Sequence, residues 1–418
     1  MPERVILHCD CNSFFASVET ALNPSYRDVP MAVCGSESDR HGIVLAKNEL
    51  AKKYGIQTAE TVYSARKKCP NLVIAPPHYE AYSEYSHRVN DIYARYTDMI
   101  EPFGIDESWL DVTASKKLFG TGLEIAERIR REVKEEIGIT VSIGVSFNKV
   151  FSKLGSDYKK PDAVTVIDRE SVERIVYPLP VSDLLFVGKR TTDQLKQMGI
   201  NTIGDLANVP REVLISRFGK FGEQLYKNSR GLDDSPIAKI GEREDQKSIG
   251  FGQTFRYDLV SREECKVAIT YLSDDVARRL RKLGMVCSTV QLTIKDEHLN
   301  VIQRQRGLLR PSDISHDISS LAYNILVDEW SESRPIRMLT VTAQNLTKNE
   351  FFVDLIDMFS ENDNKREKDK KQEELVDKIR QKYGRESITN GAILSSNMGI
   401  KERKDKKTVK GKYEDESK

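Results

Sequence analysis

Up to residue 167, short apolar runs alternate with amphipathic stretches, a pattern that predicts strands and helices in turn. Val5-Ile6-Leu7 opens a buried strand ending on Asp10, and Asn12-Ser13 offers an N-cap for a helix over FFASVETAL. Further strands are expected at 31–34, 43–46, 72–75, 140–145 and 163–167, and helices at 48–54, 62–68, 79–96 and 118–136. The run 99–112 reads as two strands with a bend near Gly104. From residue 168 the texture changes to short helices, with a helix, Gly turn and helix around Gly188-Lys189-Arg190 and a looser version at 218–222. A polar, Gly-bearing stretch at 233–246 reads as a linker. Beyond it, β-α-β-β-α-β patterning from 248 to 346 predicts a ferredoxin-like sheet domain. The apolar segment 351–359, a charged helix over 365–383 and a lysine-rich, disordered end from 401 complete the chain.

With 39% hydrophobic and 31% charged residues, 418 residues supply ample core for about two to four domains. The apolar runs fall far short of the roughly 20 residues that span a membrane, and charges interrupt the start, so neither a span nor a signal segment is expected. The cysteines (Cys9, Cys11, Cys34, Cys69, Cys265, Cys287) form no CxxC pair. They read as reduced thiols in a cytoplasmic protein. A net charge of +1 is uninformative alone, because balanced totals can hide segregated charge. The last sheet domain is one-sidedly basic, with Lys247, Arg256, Arg304, Arg306 and Arg337 among its cations. Arg304 and Arg306 alternate on one strand face, as a phosphate-tracking surface would, or as a merely solvated face.

Asp10 at a strand end beside a helix start suits a metal-bound nucleoside triphosphate, although an Asp there is also an ordinary turn residue. Asp106 and Glu107 would face opposite sides of a regular strand, so both reach one site only from a hairpin tip or a distorted residue. If the three carboxylates converge, one or two divalent cations relieve their repulsion, and hard oxygen donors suit Mg²⁺. The Gly188 turn offers backbone N–H groups to DNA phosphate, or is a generic αα-hairpin.

Four motifs then stand in a recognisable order: HCDCNSFFASVE, GIDESWLDVT, VSIGVSFNKVFSKLGSDYKKPDA and VGKRTTDQLKQMGI. Over residues 1–348 the chain resembles the Y-family translesion DNA polymerases, the bacterial DNA polymerase IV group most of all. The resemblance implies an α+β multidomain right hand. Its parts are a palm (1–18 and 79–166), small fingers (19–78), a helix-hairpin-helix thumb (167–233), a linker (234–244), a little finger (245–348) and a tail (349–418).

It also implies that Asp10, Asp106 and Glu107 hold two Mg²⁺ ions, with Cys11 contributing its carbonyl. Phe14 and Phe15 would give backbone N–H groups to the triphosphate, and Phe15 would be the steric gate against a ribose 2′-hydroxyl. Lys160 falls at a triphosphate-binding position. Lys52 and Glu49 stand where the family has an Arg and a Tyr, and a carboxylate at Glu49 would repel phosphate. Gly188, Lys189 and Arg190 would meet DNA. Leu355-Ile356-Asp357-Met358-Phe359 resembles a sliding-clamp-binding pentapeptide with Leu355 in place of Gln. The expected activity is error-prone, template-directed DNA synthesis by a monomer acting on primer–template DNA and deoxynucleoside triphosphates. No stretch is left for a proofreading exonuclease. A nucleotidyl cyclase and a catalytically idle DNA-binding scaffold are the alternatives.

Overall fold

A computed structural model describes residues 3–35, 42–242, 246–331, 334–348, 363–384, 387–394, 396 and 398–399. The chain divides into two compact units, the first comprising residues 1–35 and 43–243 and the second beginning at 244. In the first unit the order begins β1 (Ile6–Cys11), α1 (Phe14–Leu22), β2 (Met31–Cys34), β3 (Val44–Lys47), α2 (Glu49–Lys53), α3 (Val62–Lys68), β4 (Val73–Ala75) and α4 (Tyr79–Tyr93). It continues with β5 (Ile100–Pro102), β6 (Glu107–Asp111), α5 (Lys116–Phe119), α6 (Gly122–Glu132), β7 (Val141–Ser146), α7 (Lys149–Tyr158) and β8 (Val164–Ile167). Short helices follow: α8 (Val172–Ile175), α9 (Lys189–Gln197), α10 (Ile203–Ala207), α11 (Arg211–Phe218) and α12 (Lys220–Ser229).

β1 lies at the centre of a five-stranded sheet ordered β5-β6-β1-β7-β8. It is buried along its whole length, which is why it reads as an apolar run instead of a strict alternation. The two-residue period still sorts its side chains. Leu7, Cys9 and Cys11 join the core with Val89, Ile92 and Tyr93 of α4. His8 and Asp10 turn to the other face and meet Ser156 and Lys153 of α7. That helix lies directly on β7. A Cβ at Gly144 would stand 1.9 Å from the Ser152 carbonyl oxygen, and one at Gly155 would stand 2.9 Å from Gly144 Cα. The missing side chains are therefore what lets α7 approach the sheet backbone to backbone.

The segment between α1 and α4 forms its own three-stranded sheet, β3-β2-β4, with a small core around Ala32, Val44, Ala51 and Val62. The short helices pack as a third cluster that borrows Val150, Phe151 and Leu154 from α7. The predicted linker differs from expectation. Ile237 is 2% exposed and packs with Ile6 and Trp109, while Ala238 N–H donates to Glu101 Oε2 (3.0 Å) and Ile240 N–H to the Asp98 carbonyl (2.9 Å). Two isoleucines in a polar stretch fasten it to the first unit through residue 242.

The second unit runs β9 (Ser248–Leu259), α13 (Arg262–Lys282), β10 (Met285–Asp296), β11 (Val301–Ser312), α14 (Ser315–Glu329), β12 (Ile336–Lys348), α15 (Asp363–Tyr383) and α16 (Gly391–Leu394). The β-α-β-β-α-β succession is as predicted, but the ferredoxin-like sheet is not. The strand order is β11-β10-β12-β9, so the first strand lies at an edge, where a ferredoxin-like sheet keeps its first and third strands inside. Composition explains the choice. β10 carries Val290, Leu292 and Ile294 into the core and takes a central place. β9 carries Gly250 and Gly252 against Thr342 and Thr340, and β11 is strongly polar; both suit an edge.

This unit also extends past the expected boundary at 348. Arg281, on α13, pairs with Glu373 and with Asp377 (2.7 Å) of α15, and Arg380 pairs with Asp274 (2.8 Å). Ile393 and Met398 are buried in the same core as the sheet. The described cysteines are free and buried. Among the described residues, no helix is long and apolar enough to cross a membrane.

Candidate active site

Asp10 and Glu107 are direct cross-strand partners in the antiparallel β1–β6 pair. Asp106 immediately precedes the strand, in the turn after β5, and its carbonyl accepts the Cys11 N–H (2.9 Å). Phe103 N–H closes the turn onto the Glu107 carbonyl (3.0 Å). One of these adjacent residues is on the strand and the other on the turn, so the alternation of a regular strand does not apply to the pair. Asp106 is half-buried; burial and then the charges of Asp10 and Glu107 push its carboxyl up to about 6.

Cations from α7 and from the turn just after it face these carboxylates. Lys153 Nζ lies 2.9 Å from Asp10 Oδ2 and 2.7 Å from Glu107 Oε2, and Lys160 Nζ lies 2.7 Å from Asp10 Oδ2. Both ammonium groups also reach Asp157, at 3.5 and 2.8 Å. Burial raises the Glu107 carboxyl, but the His8 ring 3.2 Å away and the hydrogen bond and charge of Lys153 outweigh it and hold the group down at about 2. Burial opposes the charged form of Lys153 too, yet Asp10 and Asp157 raise its pKa well above the ordinary lysine value. Lys153 and His8 were missed from sequence. Their signal was position: the first lysine of FSKLGSDYKK sits one helical turn before Asp157, and His8 shares a strand face with Asp10.

The donor set fits a divalent cation. Among the described residues, ligand atoms of His8, Asp10 and Glu107 lie within 4.8 Å of one another; Asp106 is outside that group, and its carboxyl is raised first by burial and then by the like charges of Asp10 and Glu107, which a cation would offset. Cys11 cannot offer a thiolate: it is 3% exposed, and burial holds its thiol protonated. Any part it takes is through its backbone.

The predicted cap at the start of α1 is absent. Ser13 occupies the N-cap position in the left-handed region (φ 49°) without a side-chain cap. Its hydroxyl donates to Glu49 Oε1 instead (3.2 Å). Asn12 turns inward, donating to Ser142 (2.9 Å) and accepting from Thr140 (3.0 Å) and from the Asp162 N–H (2.8 Å). The first N–H groups of α1 thus keep the free donors of an uncapped helix start. Phe14 is buried, while Phe15 is half-buried with its ring stacked on Tyr82.

Glu49 opens α2, where Asn48 caps by accepting the Ala51 N–H (2.9 Å). Lys52 Nζ lies 2.6 Å from Glu49 Oε1, so the two residues at the unusual positions neutralise one another beside Ser13.

Gly188 is the N-cap of α9, in extended conformation and without a side-chain cap, and Gly188, Lys189 and Arg190 are all exposed. In the second unit, Arg304 and Arg306 do share a strand face, but they pair in register opposite Leu292 and Val290, whose side chains enter the core. They therefore turn to the helical side and contact Glu329 (3.0 Å) and Asp328 (2.5 Å) at the end of α14. Such exposed pairs hold their partners only weakly. Lys247 is exposed just before β9, and Arg256 and Arg337 lie half-buried on β9 and β12. Leu355 to Phe359 fall outside the described residues.

Known proteins share both sequence and architecture. Residues 9–157 match the impB/mucB/samB family, residues 246–353 that family's C-terminal domain, and residues 182–233 the thumb domain of DNA polymerase-iota. The chain is 46% identical over 392 residues to DNA polymerase IV of Acetivibrio thermocellus, covering 94% of this chain and 98% of that protein. It is 38% identical to DNA polymerase IV of Moorella thermoacetica over 396 residues (94% and 97%). DNA polymerase IV 1 of Bacillus subtilis is 33% identical over 393 residues (94% and 93%). A solved Y-family DNA polymerase chimera superposes with a TM-score of 0.72 at 24% identity, over 82% of this chain and all of that one, which is a likeness of fold. Matched along its length by that family and its thumb, the chain belongs to the Y-family DNA polymerases, with the bacterial DNA polymerase IV proteins as its relatives.

Proposed function

We propose that the chain is a DNA-directed DNA polymerase that carries out error-prone translesion synthesis in the cytoplasm, adding deoxynucleotides to a primer 3′-hydroxyl. The supporting observation is the pairing of Asp10 with Glu107 across β1 and β6, with Asp106 on the adjoining turn and its carboxyl raised by burial and by their charges, beside the uncapped start of α1. Asp10, Asp106, Glu107 and the Cys11 carbonyl would hold two Mg²⁺ ions, which when bound supply charge stabilisation at the attacking and leaving oxygens. The chain's own groups do the rest. Backbone N–H groups of Phe14 and Phe15 bind the triphosphate, Lys160 and Lys52 offset its charge, and the Phe15 ring excludes a 2′-hydroxyl.

The same reading assigns the palm to 1–18 and 79–166, the fingers to 19–78 and the thumb to 167–233. The second unit is the little finger. Gly188, Lys189 and Arg190 hold the DNA backbone, as do Lys247, Arg256, Arg304, Arg306 and Arg337, and Leu355 to Phe359 bind a sliding clamp. The protein acts as a monomer.

Primer extension tests the core of this reading. Asp106→Ala protein should lose about a thousandfold or more in rate while still binding primer–template DNA. Near-normal extension would remove Asp106 from the catalytic group. A cyclic nucleotide made without DNA would replace the reading with a cyclase.

A further inference from the structure

Phe186 stands where the backbone suits a residue without a side chain. Val187 N–H donates to the Leu184 carbonyl (3.0 Å), closing a tight turn, and Phe186 holds the third place of that turn at φ 69°. Glycine takes this conformation freely, whereas a bulky side chain is strained there. Leu184 and Val187 are buried in the core of the short helices, yet Phe186 stays 54% exposed, so burial does not offset the strain. Its ring meets that of Phe103 at 6.4 Å and 78°. Phe103 is itself 46% exposed and leans at 4.7 Å on the buried Trp109, which is fixed by its Nε1–H on the Lys149 carbonyl (3.1 Å). Two half-exposed rings therefore adjoin on the surface of the first unit. One comes from the turn that carries Asp106, the other from the turn that leads into Gly188 and α9.

We propose that the Phe103–Phe186 pair is a seat for the primer strand, taking the apolar sugar face of a nucleotide near its 3′ end. The inference rests on the polymerase reading, which puts the reacting 3′-hydroxyl at the carboxylates and a backbone phosphate at the N–H groups of Gly188 to Arg190. Phe103 comes three residues before Asp106, and Phe186 comes two before Gly188. A strand running from one of these contacts to the other crosses the rings where they touch. The chemistry of a nucleotide suits that track, because its phosphate takes N–H groups and cations while its sugar and base offer faces that aromatic rings cover. Lys189 and Arg190 are exposed at the start of α9, so the anionic and apolar parts of the strand find complementary groups side by side. The rings add a hold on the primer that does not depend on charge.

The test measures primer–template affinity by fluorescence anisotropy as salt is varied, together with thermal melts, for Phe186→Gly and Phe103→Leu in the full chain. Phe186→Gly should weaken binding about fivefold or more without lowering Tm, because glycine releases the strained backbone. The slope of affinity against salt should stay that of the parent, since no phosphate contact is lost. Phe103→Leu should weaken binding in the same way. Phe186→Trp gives a direct signal, read against the parent with its Trp109 and Trp330. Its emission should be quenched by primer–template and much less by the single-stranded template. Parent-like affinity in Phe186→Gly, or saturation with primer–template that leaves the Phe186→Trp emission unchanged, would overturn the proposal. Equal quenching by the single strand would take the primer out of it. A loss that comes with a lower Tm or a shallower salt slope would belong to the shape of the hairpin or to its phosphate contacts instead. A parent that binds primer–template but does not extend it would sink the polymerase reading and leave the rings to be judged on binding.

Discussion

The rings of Phe15 and Tyr82 stack 4.1 Å apart and 11° from parallel, and Tyr82 is itself held by its hydroxyl on the buried carboxylate of Glu19. The gate proposed at Phe15 works only if the ring cannot swing, and the flat face that would let it rotate is occupied. Phe15→Ala should therefore admit ribonucleotides, reducing sugar discrimination by at least about tenfold. Tyr82→Leu removes the stacked ring, a contact worth about 0.5–1.5 kcal/mol, together with the hydroxyl donated to Glu19, and should produce a smaller loss in the same direction. Single-nucleotide incorporation with deoxy- and ribonucleotides measures both. Unchanged discrimination in Phe15→Ala would take the gate away from this residue.

Glu49 spends its charge on Lys52 and on the Ser13 hydroxyl, beside the helix start assigned to the triphosphate. Both side chains are substantially exposed, so their pair is worth little, and an incoming polyphosphate competes with the carboxylate for the same ammonium. Glu49→Gln should lower KM for deoxynucleotides about two- to tenfold with kcat nearly unchanged. A raised KM would mean instead that Glu49 serves by holding Lys52 in place.

Asp162 ties α6 to the turn after α7, accepting from Arg130 Nη1 (2.8 Å) and Lys134 Nζ (2.7 Å). Burial raises its carboxyl, but the hydrogen bonds from Lys134 and Arg130 prevail and hold it below the ordinary value of 3.8. A depressed folded pKa contributes stability above the unfolded value, and that contribution is lost as pH falls through the folded one. Asn tolerates the left-handed backbone at this position (φ 53°), so Asp162→Asn isolates the charge. The substitution should cost about 1 kcal/mol at pH 7, a few degrees in Tm, with the gap closing as pH falls below about 4. Thermal melts across that range check it, and a gap independent of pH would assign the loss to something other than charge.

Much of this was legible in the residue pattern, for reasons particular to each element. β1, α3 and the two strands around Gly104 are announced by local apolar period and turn residues, and the structure has them within a residue or two. The requirement that Asp106 and Glu107 reach one region from a turn followed from strand geometry alone, and Glu107 does open β6. What stayed hidden depends on partners distant in sequence. The strand order of the second unit is a competition among strands for central places, which the order of elements does not record. Arg304 and Arg306 occupy a common face as read, but which face was set by pairing with β10. Ile237 and Ile240 looked incidental in a polar linker because the surface they cover lies more than a hundred residues earlier. The lost cap at Ser13 goes with a left-handed backbone that its residue type does not announce, and its hydroxyl finds Glu49, a residue of another helix.

The close approach of α7 to β7 has a genetic consequence. A single methyl at Gly144 would meet the Ser152 carbonyl and push outward the helix that carries Lys153 and Ser156. A screen for loss-of-function alleles should therefore recover Gly144 and Gly155 together with the acidic residues. They would be lesions of the active site at positions that carry no functional group.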